Sequence, residues 1–217
     1  MKKRLIALTS AVTLLVPTVS YAEENSPNPE QYSSLSPVER ISECMNEVPE
    51  NGQDEAIDFE LVCKAIAAAD STSFSDDGRR LETSLDDAQL ASNYGFTADE
   101  LVDYHAILNG TYSPKVPVEG TSFRSTSIYL TSDQLTTGTL AVLGTAAGVG
   151  PEALAAAVTS VSFALGPVAG AISGGIAFLG ATFFADLAIK ILTAINTNRG
   201  VRLTLVAGFP PIESRVE

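Results

Sequence analysis

Residues 152–186 read EALAAAVTSVSFALGPVAGAISGGIAFLGATFFAD, and the acids at its two ends are its only charges. Inside the run, Gly166, Gly170 and Gly174 recur every fourth residue, so on a helix they line one face. Upstream, Gly144 and Gly148 repeat the interval. A segment this apolar is either a tightly packed helical core or a piece destined for a bilayer. Small residues at this spacing serve both outcomes, because they let helix backbones approach closely in water or in lipid.

Breakers divide the surrounding region into three expected helices at about 132–147, 151–165 and 167–196. Gly148, Gly150 and Pro151 separate the first from the second, and Gly166-Pro167 the second from the third. Each proline falls where a first-turn position belongs. Two β-prone stretches bracket these helices. Residues 123–130 read FRSTSIYL, rich in β-branched and aromatic side chains, and residues 201–206 read VRLTLV with alternation. If the two pair, they close the helical segment at its base, in an orientation the sequence leaves open. Asn196, Asn198 and Gly200 are expected to end the last helix, and Pro210-Pro211 to end regular structure altogether.

Ser127-Ile128-Tyr129-Leu130 before the helices and Asn198-Arg199-Gly200-Val201-Arg202 after them carry a resemblance. The last ninety or so residues are similar to a C-terminal module of small exported Gram-positive bacterial proteins, in which a short strand, Gly/Ala-rich helices and an Arg-Gly-Val-type strand follow one another. Several of those proteins resemble bacteriocins, and many have no assigned activity, so the resemblance transfers no functional residue.

Length discriminates among the apolar pieces. A hydrocarbon core of roughly 30 Å needs about 20 helical residues. Residues 168–189 meet that length, 134–151 are borderline and carry Thr136, Thr137 and Thr139, and 151–165 are too few. Mostly Ala, Gly, Val and Ser, such segments can pass a translocon, fold in water and insert later, as soluble pore-forming toxins do. Glu152 and Asp186 are then the acids whose protonation or pairing lowers the insertion cost. The plainer reading is a helix-start carboxylate at Glu152 and a surface one at Asp186. Lys190, Arg199 and Arg202 after the run fit headgroups, or equally a solvated edge that suits a helix C-terminus.

The front of the chain differs in every respect. Lys2, Lys3 and Arg4, an apolar run over 5–19 and Ser20-Tyr21-Ala22 read as a signal peptide cleaved near Ala22. This predicts export to the cell envelope or beyond. Residues 23–36 are polar, contain Pro27 and Pro29, and are expected to form a flexible arm. The chain carries a net −13, and the excess lies entirely forward: residues 23–133 hold 22 acids and 6 bases, against 4 of each from 134 onward. That field repels nucleic acid and anionic lipid alike. The partners it leaves are a bilayer met through the apolar half, a further copy of the chain, or an unspecified protein.

Residues 37–110 read as a small all-helical acidic domain, followed by a linker over 111–120. Ser36, Pro37 and Glu39 open a first helix, and a second covers about 54–69. Cys44 lies late in the first and Cys63 midway in the second, so a helical hairpin brings them together. In an exported chain a disulfide is the expected outcome, worth about 3 kcal/mol in the chain-entropy picture, with two buried thiols as the alternative. Residues 70–78 read as a polar loop. Ser84 and Asp87 suggest a further start, Gly95 a stop, Thr97 and Glu100 a capping box, and Asn109-Gly110 a final stop.

Catalytic patterns do not emerge. The single histidine, His105, neighbours Asp103, and adjacent helix positions do not face each other. Ser173 is misplaced for a nucleophile elbow. No phosphate-binding or dinucleotide fingerprint occurs, so no cofactor is expected. Two cysteines and one histidine fall short of a zinc set, and Gly78 is out of register for a calcium loop. Asp86-Asp87 and Asp99-Glu100 look like helix-start charges. The expectation is therefore a mainly α, non-enzymatic exported protein: an acidic helical domain, then a strand–apolar helices–strand module over 121–209 and a tail over 210–217. The module is read as membrane-active or self-associating. The alternative is an extracytoplasmic binding or structural protein whose apolar helices are an ordinary soluble core.

Overall fold

The computed structural model describes residues 34–47, 57–112, 127–137, 140–162, 165, 176–207 and 211–217. The signal peptide, the polar arm up to residue 33, most of the expected linker, and Gly166, Gly170 and Gly174 lie outside the described residues.

The fold is mainly α. In chain order, α1 (Pro37–Glu47) and α2 (Phe59–Ala67) precede β1 (Thr72–Phe74) and β2 (Leu81–Thr83). Helices α3 (Asp87–Tyr94) and α4 (Ala98–Leu108) complete the acidic half. Then follow β3 (Ser127–Leu130), α5 (Ser132–Thr136), α6 (Ala141–Val149), α7 (Pro151–Ser160), α8 (Ile176–Asn196), β4 (Val201–Leu205) and β5 (Ile212–Val216).

Caps set most helix starts. Thr97 and Glu100 form a reciprocal capping box on α4, and Thr131 with Gln134 forms one on α5. Helix α3 is capped by Asp86 and Gln89 rather than by Ser84. Ser36 and Glu39 exchange hydrogen bonds at the start of α1.

Four expectations are corrected. Residues 70–78 are not a plain loop, because Thr72–Phe74 pairs antiparallel with Leu81–Thr83, so the acidic half is not all-helical. The turn of that hairpin is tied by Asp77, which accepts from the Ser75 hydroxyl at 2.6 Å and the Arg79 N–H at 3.1 Å. The first apolar helix is two helices: α5 ends at Thr136, with Thr137 non-helical, and α6 begins at Ala141. The third is interrupted at Gly180, whose φ of 72° is not helical. Finally, the segment 210–217 is not a tail: β5 follows Pro211 and makes the sheet three-stranded, in the order β3-β4-β5.

The two bracketing strands do pair, antiparallel, with Leu130 opposite Val201 and Ser127 opposite Thr204. Gly200, just before β4, is tightly enclosed: a β-carbon there would lie 2.7 Å from the Leu130 carbonyl oxygen and would run into the Tyr129 ring. Strand β5 continues the ladder, with Arg202 opposite Arg215 and Leu205 opposite Ile212. Helix α8 packs on β5 and β4, and α6 and α7 pack on α8.

The charge boundary is not a packing boundary. One continuous core holds Cys44, Leu61 and Ile66 from the acidic half together with Leu143, Leu154, Phe184 and Leu203 from the apolar half. Helix α2 lies against α7, and Phe74 of β1 stacks on Phe184 of α8 at 6.1 Å.

Candidate functional site

Helix α7 is the centre of the arrangement. Every residue from Ala153 to Ser160 is buried. Its two buried hydroxyls are satisfied within the helix: Thr159 donates to the Ala155 carbonyl and Ser160 to the Ala156 carbonyl, each at 2.8 Å. The buried stretch thus carries no unmet side-chain polar group, which is what burial demands. It is enclosed by α6 and α8 from its own half and by α2, α4 and β1 from the acidic half.

Gly144 belongs to that packing. A β-carbon there would overlap the Leu135 carbonyl oxygen and sit 3.2 Å from the Ile195 Cδ1. Gly148 is half-buried on the same helix, one turn on. Glu152 stands in the first turn of α7 beside Pro151, as a helix-start carboxylate should. With Asp70, Thr72 and Gly150 it lines a recess of about 230 Å³ between the two halves.

Three clamps brace the acidic half internally. The first is the Cys44–Cys63 disulfide, with Cα atoms 5.6 Å apart, joining α1 to α2. The second is Lys64, almost fully buried, whose ammonium reaches both Glu100 oxygens at 2.8 and 2.9 Å and Glu60 at 2.7 Å. Burial works against the Lys64 charge, yet the hydrogen bonds it donates to Glu100 and Glu60 outweigh it and hold its pKa above the ordinary 10.5. Burial likewise pushes Glu100 up, but the bonds from Lys64 and Thr97 outweigh that and leave it below 4.5. The third clamp is an Arg40–Asp70 ion pair between α1 and the turn after α2.

Asp186 is a surface carboxylate, as the plainer reading has it, but it is not at a helix end and not isolated. It sits inside α8, pairs with Lys190 at 2.5 Å and accepts from the Ser214 hydroxyl at 3.2 Å. Lys190 also donates to the Ser214 carbonyl at 2.8 Å and lies 3.1 Å from its hydroxyl oxygen. This cluster floors a groove of about 490 Å³ between α8 and β5, lined further by Leu179, Phe183, Glu213 and Arg215. A serine beside a lysine can act as nucleophile and base when the amine is free to take the hydroxyl proton. Here the amine already donates to a carboxylate and a main-chain carbonyl, so the contact joins helix to strand.

His105 pairs with Asp87 at 2.8 Å on the surface between α4 and α3, and lines neither recess. Arg202 pairs with Glu217 at 2.7 Å and lies over the Tyr129 ring, while Arg199 is exposed. Sequence reasoning missed the Lys64–Glu100 pair and the Asp186–Lys190–Ser214 cluster. Only the spacing of Asp186 and Lys190, four apart on a helix, could have signalled the second. Among the described residues no group of three or more histidine, cysteine or carboxylate side chains is placed to hold a metal ion.

By length and composition, Leu179–Asn196 is the one stretch among the described residues apolar enough to cross a membrane. The break at Gly180 leaves the helix continuous only from Ala181 to Asn196, about 24 Å. No known protein family, curated protein or solved structure matches this chain.

Proposed function

We propose that this is an exported, non-enzymatic protein in which the acidic half sheathes an apolar helical module, and that the module meets a bilayer once the sheath loosens. The enclosure of α7 carries this reading: a helix apolar on every face is covered in part by α2, α4 and β1, elements of the charged half. The sheath is braced internally by a disulfide and by the Lys64–Glu100 ion pair and rests on the module through apolar packing, and the disulfide suits an oxidising compartment. The resemblance to bacteriocin-like exported proteins points the same way.

The test is binding and leakage of dye-loaded vesicles by residues 23–217. It is run oxidised and reduced, at neutral and mildly acidic pH. Leakage that rises on reduction or acidification supports the reading; no binding and no leakage in any of the four conditions removes it.

A second reading has its own support. Helix α7, ten residues long, spans only about 15 Å, half of a hydrocarbon core. An extracytoplasmic binding or structural protein with these helices as its ordinary core predicts a detergent-independent protein that binds no hydrophobic dye in either redox state.

A further inference from the structure

Strand β5 forms one edge of the sheet, and among the described residues nothing pairs with its outer side. The ladder fixes which groups that side offers. Gly200 and Glu217 exchange both main-chain bonds, and the Val206 N–H donates to the Pro211 carbonyl. By antiparallel alternation, residues 211, 213, 215 and 217 face β4, so the N–H and C=O groups of Ile212, Ser214 and Val216 face outward. The Lys190 bond to the Ser214 carbonyl agrees with that direction.

Glu213 and Arg215 are exposed on the opposite face of the sheet from Ile212 and Ser214, which are buried. Neither has an ion-pair partner among the described residues. Such neighbours of opposite sign, flanking a residue with outward main-chain groups, make the strand self-complementary.

We propose that β5 is a docking edge for a second copy of this chain, paired antiparallel about a two-fold axis through Ser214. In that register Ser214 exchanges main-chain bonds with its own counterpart, and Ile212 does so with Val216 of the other copy. Glu213 then stands directly opposite Arg215 of the second copy, twice by symmetry. Slipping the pairing by two residues either way sets Glu213 against Glu213 or Arg215 against Arg215. The charges therefore select one register, and opposite-sign pairs in non-hydrogen-bonded positions are the close ones. A two-fold axis is what a self-matching strand requires. The Ser214 carbonyl has two lone pairs, so the Lys190 bond leaves one for the partner strand. Ile189, 66% exposed, shares the open stripe of α8 with Thr182 and Asp186, which line the groove beside β5. It adds apolar area next to the edge. Five residues of strand bury little surface, so the dimer is weak and salt-sensitive.

The pairing uses the sheet edge and not the apolar helices, so it stands apart from the bilayer reading. Sedimentation velocity of oxidised residues 23–217 at low salt, from about 10 μM to about 1 mM, bounds the affinity. A concentration-dependent dimer is expected. E213R and R215E should each weaken it by on the order of tenfold, since two attractive pairs become repulsive. The double variant E213R/R215E should restore it. A monomer at every concentration overturns the proposal, as do single variants that associate like the parent or a double variant no better than the singles. A monomer that permeabilises vesicles would remove this proposal alone, and a dimer inert to lipid would remove only the other.

Discussion

Lys64 shows how one side chain serves two elements. It reaches from α2 to the Glu100 carboxylate that also closes the capping box of α4. Replacing Glu100 with Gln keeps the size but removes the more buried negative charge, leaving exposed Glu60 as the only carboxylate on a nearly buried ammonium. The expected loss is about 2 kcal/mol in urea denaturation at pH 7. The pH dependence has a definite sign. Glu100 sits below its ordinary 4.5 in the folded state. Its contribution is therefore full above that value and fades as pH falls through the lower folded one. Lys64 sits above 10.5, so its contribution is full below that value and fades only as pH rises through the higher folded one. E100Q should accordingly flatten the acid limb of the stability profile. Gly200 makes a separate case. A valine there must displace the Tyr129 ring and meet the Leu130 carbonyl. G200V should cost about 2 kcal/mol by the same assay, through strain at the β3–β4 junction. The Thr97–Glu100 box was legible in sequence because its partners are three residues apart. The Lys64–Glu100 pair was not, because 36 residues separate them and no local periodicity links them.

Among elements, α1 and α2 were the easiest to place together. Helical spacing put Cys44 and Cys63 on consecutive helices, and the structure bonds them. Replacing both cysteines with alanine should lower stability by about 3 kcal/mol, read as a drop in Tm and urea midpoint. The β3–β4 pairing followed from β-branched composition on either side of the helices. Other elements were hidden for physical reasons. Strands β1 and β2 are three residues each, too short for alternation to register. Strand β5 lies directly behind two prolines in the sequence, a pattern that usually ends a strand, yet Ile212–Val216 pairs with β4. The break in α8 falls at Gly180 inside an unbroken apolar pattern, where the backbone and not hydrophobicity decides.

At the scale of the molecule, composition suggested two halves and packing made one core. Charge follows the sequence, whereas burial depends on which apolar faces meet. The apolar stripe of α2 meets α7, so the acidic half contributes its inner face to the neutral one. This is why the expected glycine-registered face could not settle the question of core against bilayer. The decisive surfaces belong to α2, α4 and β1, all of which lie more than forty residues upstream of α7.

The disulfide that ties α1 to α2 also bears on the order in which the protein assembles. Ten alanine-rich residues such as α7 hold little helix by themselves in water. The α1–α2 pair closes over a separation of 19 residues and comes earlier in the chain. Local closures of that kind are fast and inexpensive in entropy. An oxidised N-terminal half would then serve as the template on which the greasy helix condenses. A chain crossing a membrane from its N-terminus would thus meet its own chaperone-like surface already made.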